Sequence, residues 1–150
     1  MRVLALDIGE RRVGVAMSDP AATVASPLVV LDADHVATTD AVPALVEEHE
    51  VGLVVVGLPL TMRGEEGPQA VRVREIAEGL GSRLAVPLVF YDERLSSAEA
   101  RRAMRSTGMT SKRARGSIDK IAAAIFLQSY LDSGAVGGME RKNGADGASE

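Results

Sequence analysis

The chain of 150 residues has no cysteine, no tryptophan, two histidines and four other aromatic residues. Without cysteine, neither a disulfide framework nor a thiolate metal site is possible, which suits a reducing cytosol. His35 and His49 have no metal-ligand partner nearby in sequence and read as surface residues. The aromatics, Phe90, Tyr91, Phe126 and Tyr130, fall mostly in apolar segments, so base stacking gives no hint of a single-strand preference. Long apolar runs are missing as well: "VGLVVVGLPL" is about half of a membrane span. The start, "MRVLALDIG", is too short and too soon followed by Glu10, Arg11 and Arg12 for a signal peptide. These absences predict a soluble, cytosolic protein with no membrane partner.

What is present is a hydrophobic share of 46%, enough for one compact domain with its own core. That domain is expected over residues 1–133. From Gly134 the chain turns to Gly, Ala, Asn and charge, and 134–150 reads as a disordered tail. The net charge of −4 argues mildly against a nucleic-acid partner, but its distribution argues for one. Arg94 to Lys120 holds eight basic residues and two acids, a net +6 that leaves −10 for the rest. Local charge decides where a polyanion docks.

Residues 2–8 are apolar on both parities, as in a central strand covered on both faces. A turn at 9–12 and "VGVAMS" make a hairpin, and "SPLVVL" (26–31) reads as a third strand. Asp40 is placed to cap a helix running to about His49. "VGLVVVG" (51–57) is a fourth strand, Pro68 opens a helix to about Leu80, and "VPLVFY" (86–91) is a fifth strand. Ser96 and Glu99 form a capping box, and "STGMTSKRARGS" (106–117) reads as a polar, basic loop. Ser117 then caps a last helix, "IDKIAAAIFLQSYL", apolar nearly all round and so buried. An antiparallel start followed by alternating strands and helices predicts an α/β sheet with a mixed edge.

Three carboxylates stand out against this frame. Asp7 ends the first strand, Glu93 follows the fifth, and Asp119 opens the last, buried helix. Each has an ordinary explanation: an Asx-turn over Gly9 for Asp7, a surface turn paired with Arg94 for Glu93, and the helix dipole for Asp119. Taken together they say more. Parallel strands one, four and five bring their carboxyl ends to one rim, where α/β ligands bind, and Asp7 and Glu93 fall there. Asp119 shares a helical face with Ala122, Ala123 and Phe126, small enough in part to let the helix lie close to the sheet. Converging carboxylates call for a divalent cation, and an all-oxygen donor set suits Mg²⁺ or Mn²⁺. Two such ions can clamp a phosphodiester. The flanking basic segment supplies a track for neighbouring phosphates, and the absence of acids from 100 to 118 sets it apart from an ordinary solvated face.

With these motifs the chain resembles the YqgF family of RNase H-like nucleases, also described as Holliday junction resolvases. The similarity covers Val3 to about Leu131 and rests on "LDIGERRVGVAMSD", "GLPLTMRGEEGPQA", "YDERLSSAEA" and "IDKIAAAIFLQSYL", in that order. The resemblance implies an RNase H-like fold, here a mixed five-stranded sheet with helices on both faces, with Asp7, Glu93 and Asp119 as the acids holding two metal ions. It implies that Arg12 is functional, and that the work is maturation of the 5′ end of pre-16S rRNA, with cleavage of branched DNA junctions as the alternative. Better-known resolvases of this fold resemble a four-acid pattern, with two acids one turn apart on the last helix. Here the positions a turn either side of Asp119 are Gly116 and Ala122, which weighs against junction cleavage.

In the resulting mechanism the three acids bind metal while Arg12, Lys112, Arg113, Arg115 and Lys120 hold the nucleic-acid backbone. Arg94 joins that set or orients Glu93. The "GLPLTMRGEEGPQA" loop has a shaping role, since Glu65 and Glu66 would repel an anion from the helix start at Gly67–Pro68. An actin-like ATPase also opens on "LDIG", but it needs two lobes and this chain has room for one. A non-catalytic nucleic-acid-binding module ranks lower because all three acids are present. A two-fold junction substrate would favour a homodimer, whereas RNA trimming requires none.

Overall fold

The computed structural model describes residues 1–95 and 112–137, with the backbone alone for 112–117. Strands β1 (Arg2–Ile8), β2 (Arg12–Ser18) and β3 (Ala25–Asp32) form an antiparallel meander. Helices α1 (Ala33–Thr38) and α2 (Ala41–Glu48) lead to β4 (Val51–Leu58), which runs parallel to β1. Helix α3 (Pro68–Gly81) returns the chain to β5 (Leu88–Asp92), parallel to β4, and a 3₁₀ turn follows at Glu93–Leu95. Helix α4 spans Lys112–Asp132. The sheet order is β3-β2-β1-β4-β5, the mixed five-stranded sheet expected, with β1 at its centre.

Alternation along the strands divides the core in two. Leu4, Leu6 and Ile8 of β1, Val13 and Val15 of β2, and Val54 and Val56 of β4 point to the layer made by α1, α2 and α3. Val3 and Ala5, Ala16, and Leu53 and Val55 point the other way, onto Ala123, Phe126, Leu127 and Tyr130 of α4. Both faces of β1 are thus dry, which is why its sequence is apolar on both parities. Phe126 is fully buried, and Tyr91 packs between it and Tyr130, with ring centroids at 6.3 and 5.3 Å.

The structure departs from the sequence reading at several points. Helix α4 begins at Lys112, so the backbone of 112–117 is helical where the sequence predicts loop. Gly116 costs a helix only about 1 kcal/mol, and the long buried face downstream outweighs it. Asp119 therefore lies well inside α4, seven residues after Lys112, and the helix dipole does not account for it. The short α1 was not foreseen: Asp32 caps it, accepting from the N–H groups of Asp34 and His35 at 2.9 and 3.2 Å. Asp40 stands at the N-cap of α2 without a side-chain cap bond, and instead faces Arg83 at 3.4 Å. At the far end, Val136 is 5% exposed within the α4 layer, so packing continues past Gly134. The Ser96–Glu99 capping box, the 106–111 stretch and the tail from 138 lie outside the described residues.

Candidate active site

Asp7 follows Val3 and Ala5 along β1, so it belongs to the face covered by α4. Its neighbour across the hairpin is Gly14, on the same face of β2. Gly14 is where α4 touches the sheet: a Cβ there would overlap the main-chain carbonyl of Asp119. The glycine lets the helix backbone rest directly on the strand and sets Asp119 beside the Asp7 pair. On the other side of β1 the same device recurs. Leu6 pairs with Val56, and Gly57, the next residue of β4, leaves room for Glu93, whose Oε1 lies 2.6 Å from where a Cβ would stand. Sheet alternation and two glycines thus gather Asp7, Glu93 and Asp119 on one face, at the carboxyl ends of β1 and β4.

Arg12 opens β2 and its Nε lies 2.9 Å from Asp119 Oδ2, each side chain about one-third exposed (33% and 36%). The predicted functional arginine is therefore in contact with one of the predicted acids. Arg12 also closes the hairpin turn, its carbonyl accepting from the Gly9 N–H at 2.8 Å. Gly9, Glu10, Arg11, Arg12 and Asp119 line a small cleft of about 230 Å³. Arg72, on α3, holds that turn from behind: its Nη1 and Nη2 donate to the carbonyls of Gly9 and Glu10 at 2.9 and 2.8 Å. Sequence reasoning missed Arg72, Gly14 and Gly57, because their partners are distant in the chain.

The second rim of the site is the loop between β4 and α3. Thr61 and Gly64 form a turn, closed by Gly64 N–H to the Thr61 carbonyl at 2.8 Å and Thr61 N–H to the Glu65 carbonyl at 2.9 Å. Glu66 is neutralised by Arg74, whose guanidinium also covers the Phe90 ring at 4.6 Å, so Glu66 is not the bare negative charge expected from sequence. Arg94 pairs with Asp92, not with Glu93; Nε stands 3.0 Å from both carboxylate oxygens and Nη2 2.6 Å from Oδ2. Hydrogen bonding from Arg94 holds the Asp92 carboxyl below its ordinary range, while partial burial opposes the shift. Lys120, half-buried on α4, follows Asp119. Lys112, Arg113 and Arg115 occupy the first turns of α4, and their side chains lie outside the described part.

The donor set is carboxylate oxygen alone, the chemistry that hard divalent cations accept. Among the described residues, however, no three His, Asp or Glu side chains are grouped as a metal cage. Asp119 is engaged with Arg12 instead. The residues thus fit Mg²⁺ or Mn²⁺ in kind and in the face they share, with Arg12 as the cation beside them.

A family model described as "RuvX: Holliday junction resolvase" matches residues 1–133. The chain belongs to the RuvX family. This is the YqgF family to which its motifs pointed. A curated relative from Chloroflexus aurantiacus, named "Putative pre-16S rRNA nuclease", is 48% identical over 132 residues, which cover 87% of this chain and 86% of that one. A relative of the same name from Chloroflexus aggregans is 45% identical over 87% of this chain and 93% of its own. Among solved structures, T. thermophilus RuvC in complex with Holliday junction substrate aligns with a TM-score of 0.55 at 17% identity, over 89% of this chain and 94% of that one. That likeness shows that the RuvX chain has the RNase H-like fold of that structure. No helix among its described residues is long and apolar enough to cross a membrane.

Proposed function

We propose that this RuvX-family chain is a cytoplasmic, divalent-metal-dependent nuclease that hydrolyses phosphodiester bonds in 5′-end maturation of pre-16S rRNA. The observation that carries the reading is the placing of Asp7 opposite Gly14, the Asp119 backbone resting on that glycine and Glu93 seated over Gly57, all on one face of the sheet. The name shared by the relatives, "Putative pre-16S rRNA nuclease", supports the choice of substrate.

Asp7, Glu93 and Asp119 are the residues that would hold Mg²⁺ or Mn²⁺, as two ions; bound there, the cations would activate water and polarise the phosphodiester. Arg12 balances the acids' charge and stands at the mouth of the cleft, where a phosphate of the substrate takes up its remaining N–H groups. Lys120, with Lys112, Arg113 and Arg115 from the start of α4, extends the positive track along the backbone. Arg94, committed to Asp92, contributes by fixing the end of β5 and the 61–65 turn.

Resolution of a DNA four-way junction is the second reading, favoured by the description of the family model. It would call for a homodimer to match the two-fold substrate. Gly116 and Ala122 weigh against it, since neither offers a further carboxylate on α4. The test is cleavage, by the full chain, of a pre-16S leader and a four-way DNA junction side by side. Each is run with Mg²⁺, with Mn²⁺, with chelator, and with Asp7→Asn. Metal-dependent cutting of the RNA, lost in the variant, is the expected result. Cutting of the junction alone would move the function to DNA, and tight binding with no cutting would leave a binding module.

A further inference from the structure

Met62 is 96% exposed, against 64% for Leu95, 57% for Val24 and 45% for Val71 among the large apolar side chains described as exposed. Single apolar residues on a surface need no explanation, but this one has an unusual mount. It stands on a turn closed by the Thr61–Glu65 and Thr61–Gly64 backbone bonds and by Glu65 N–H to Thr61 Oγ1 at 3.1 Å. Gly64 supplies the positive φ of 82° that the turn requires. Arg94, locked in a bidentate pair with Asp92, reaches the Met62 carbonyl through Nη1 at 3.4 Å. The turn is thus braced against the residue that follows Glu93, and an apolar tip is held in water at the rim of the acid-bearing face. Exposed Arg63 follows it, a cation next to an apolar tip.

Among the described residues, no aromatic ring stands open on this rim to stack on a base. Phe126 and Tyr130 are buried, Tyr91 packs against both, and Phe90 is covered by Arg74. Methionine, unbranched and polarisable, adapts to flat apolar surfaces, and side chains of its kind insert between base steps where nucleic acid is bent or opened.

Resting on the nuclease reading above, we propose that the 61–65 turn is a base-contacting wedge. Met62 inserts at a base step near the scissile phosphate while Arg63 holds a backbone phosphate. The wedge works at least cost where a base is already unpaired or at the end of a duplex. It therefore selects the boundary between single strand and duplex over uniform duplex.

The experiment uses the full chain in chelator with an RNA hairpin carrying a 5′ single-stranded leader and 2-aminopurine at the boundary, and a uniform duplex with the same probe for comparison. Anisotropy reports binding and 2-aminopurine fluorescence reports unstacking. The wild type is expected to brighten the probe at the boundary. Met62→Ala should still bind, lose the brightening, and lose about fivefold or more of its preference for the boundary over duplex, the scale of one base contact. Met62→Leu should retain both. Equal brightening by Met62→Ala, or binding by the wild type without brightening, would overturn the wedge. Cleavage of the same hairpin with Mg²⁺, compared with Asp7→Asn, scores the nuclease reading separately. Cleavage without unstacking sinks the wedge alone; failure to bind either RNA sinks both.

Discussion

Arg12 and Asp119 meet across the joint between the first hairpin and the last helix, Nε to Oδ2 at 2.9 Å. An ion pair this exposed contributes about 1 kcal/mol or less to stability. Arg12→Gln should therefore melt within a few degrees of the wild type. Its cleavage rate should fall by about tenfold or more, the scale of losing one charge-assisted contact to phosphate. Thermal melts and single-turnover cleavage, measured on the same preparation, check the two halves. Full activity in Arg12→Gln would reduce the arginine to a structural partner of Asp119.

The two glycines should respond differently to alanine. At Gly14 the obstacle is the main chain of α4, which yields only by shifting the helix, so Gly14→Ala should cost about 1–3 kcal/mol. At Gly57 the obstacle is the Glu93 side chain, which can swing away. Gly57→Ala should keep most of the stability and lose the activity, because the carboxylate is displaced from the sheet. Urea unfolding beside cleavage assays separates these outcomes.

Arg72 donates to two carbonyls of the β1–β2 turn, and both bonds carry charge on the donor. Arg72→Gln should cost about 1–2 kcal/mol and raise amide hydrogen exchange at residues 9–12. A drop in kcat with KM little changed is expected, since the turn carries Arg12 and follows Asp7. Unchanged exchange in that turn would show that Arg72 does not hold it.

Asp19 gives a pH prediction away from the site. The Thr23 hydroxyl, then the N–H groups of Val24 and Thr23, lower its carboxyl from 3.8 to about 2. A carboxyl lowered in the folded state adds stability that is complete above its unfolded value and lost as pH falls through the folded one. The gap in melting temperature between wild type and Asp19→Asn should be constant above about pH 4, narrow between about 4 and 2, and close below that. A gap independent of pH would show that the charge of Asp19 is not what the loop uses.

The strands were legible because their residues carry their own evidence: "VLALDI" and "VGLVVVG" are apolar on both parities, as strands covered on both faces are. Helix α3 announced itself through Pro68, and the rim positions of Asp7 and Glu93 followed from strand order. The start of α4 was hidden because Gly116 and Ser117 look like a break locally, and only packing far downstream overrides them. Helix α1 was hidden by its brevity; its cap, Asp32, lies at the end of a strand. The pairing of Arg94 with Asp92 over Glu93 was a choice between adjacent acids, and spacing does not decide it. Gly14, Gly57 and Arg72 matter only through partners dozens of residues away, so their roles appear only when the chain is folded.

The close seat of α4 on Gly14 also orders events in time. The ribosome makes the sheet-forming segment first, with Asp7 and Glu93 already in it, and Asp119 emerges more than a hundred residues after Asp7. Until the helix settles on the bare backbone of β2, two acids have no third beside them and Arg12 has no counterpart. A chain that stops short of α4 lacks both Asp119 and the layer that covers Val3, Ala5, Leu53 and Val55. On the proposed nuclease reading, the docking of one helix onto one glycine would complete the acid site only once synthesis has passed α4.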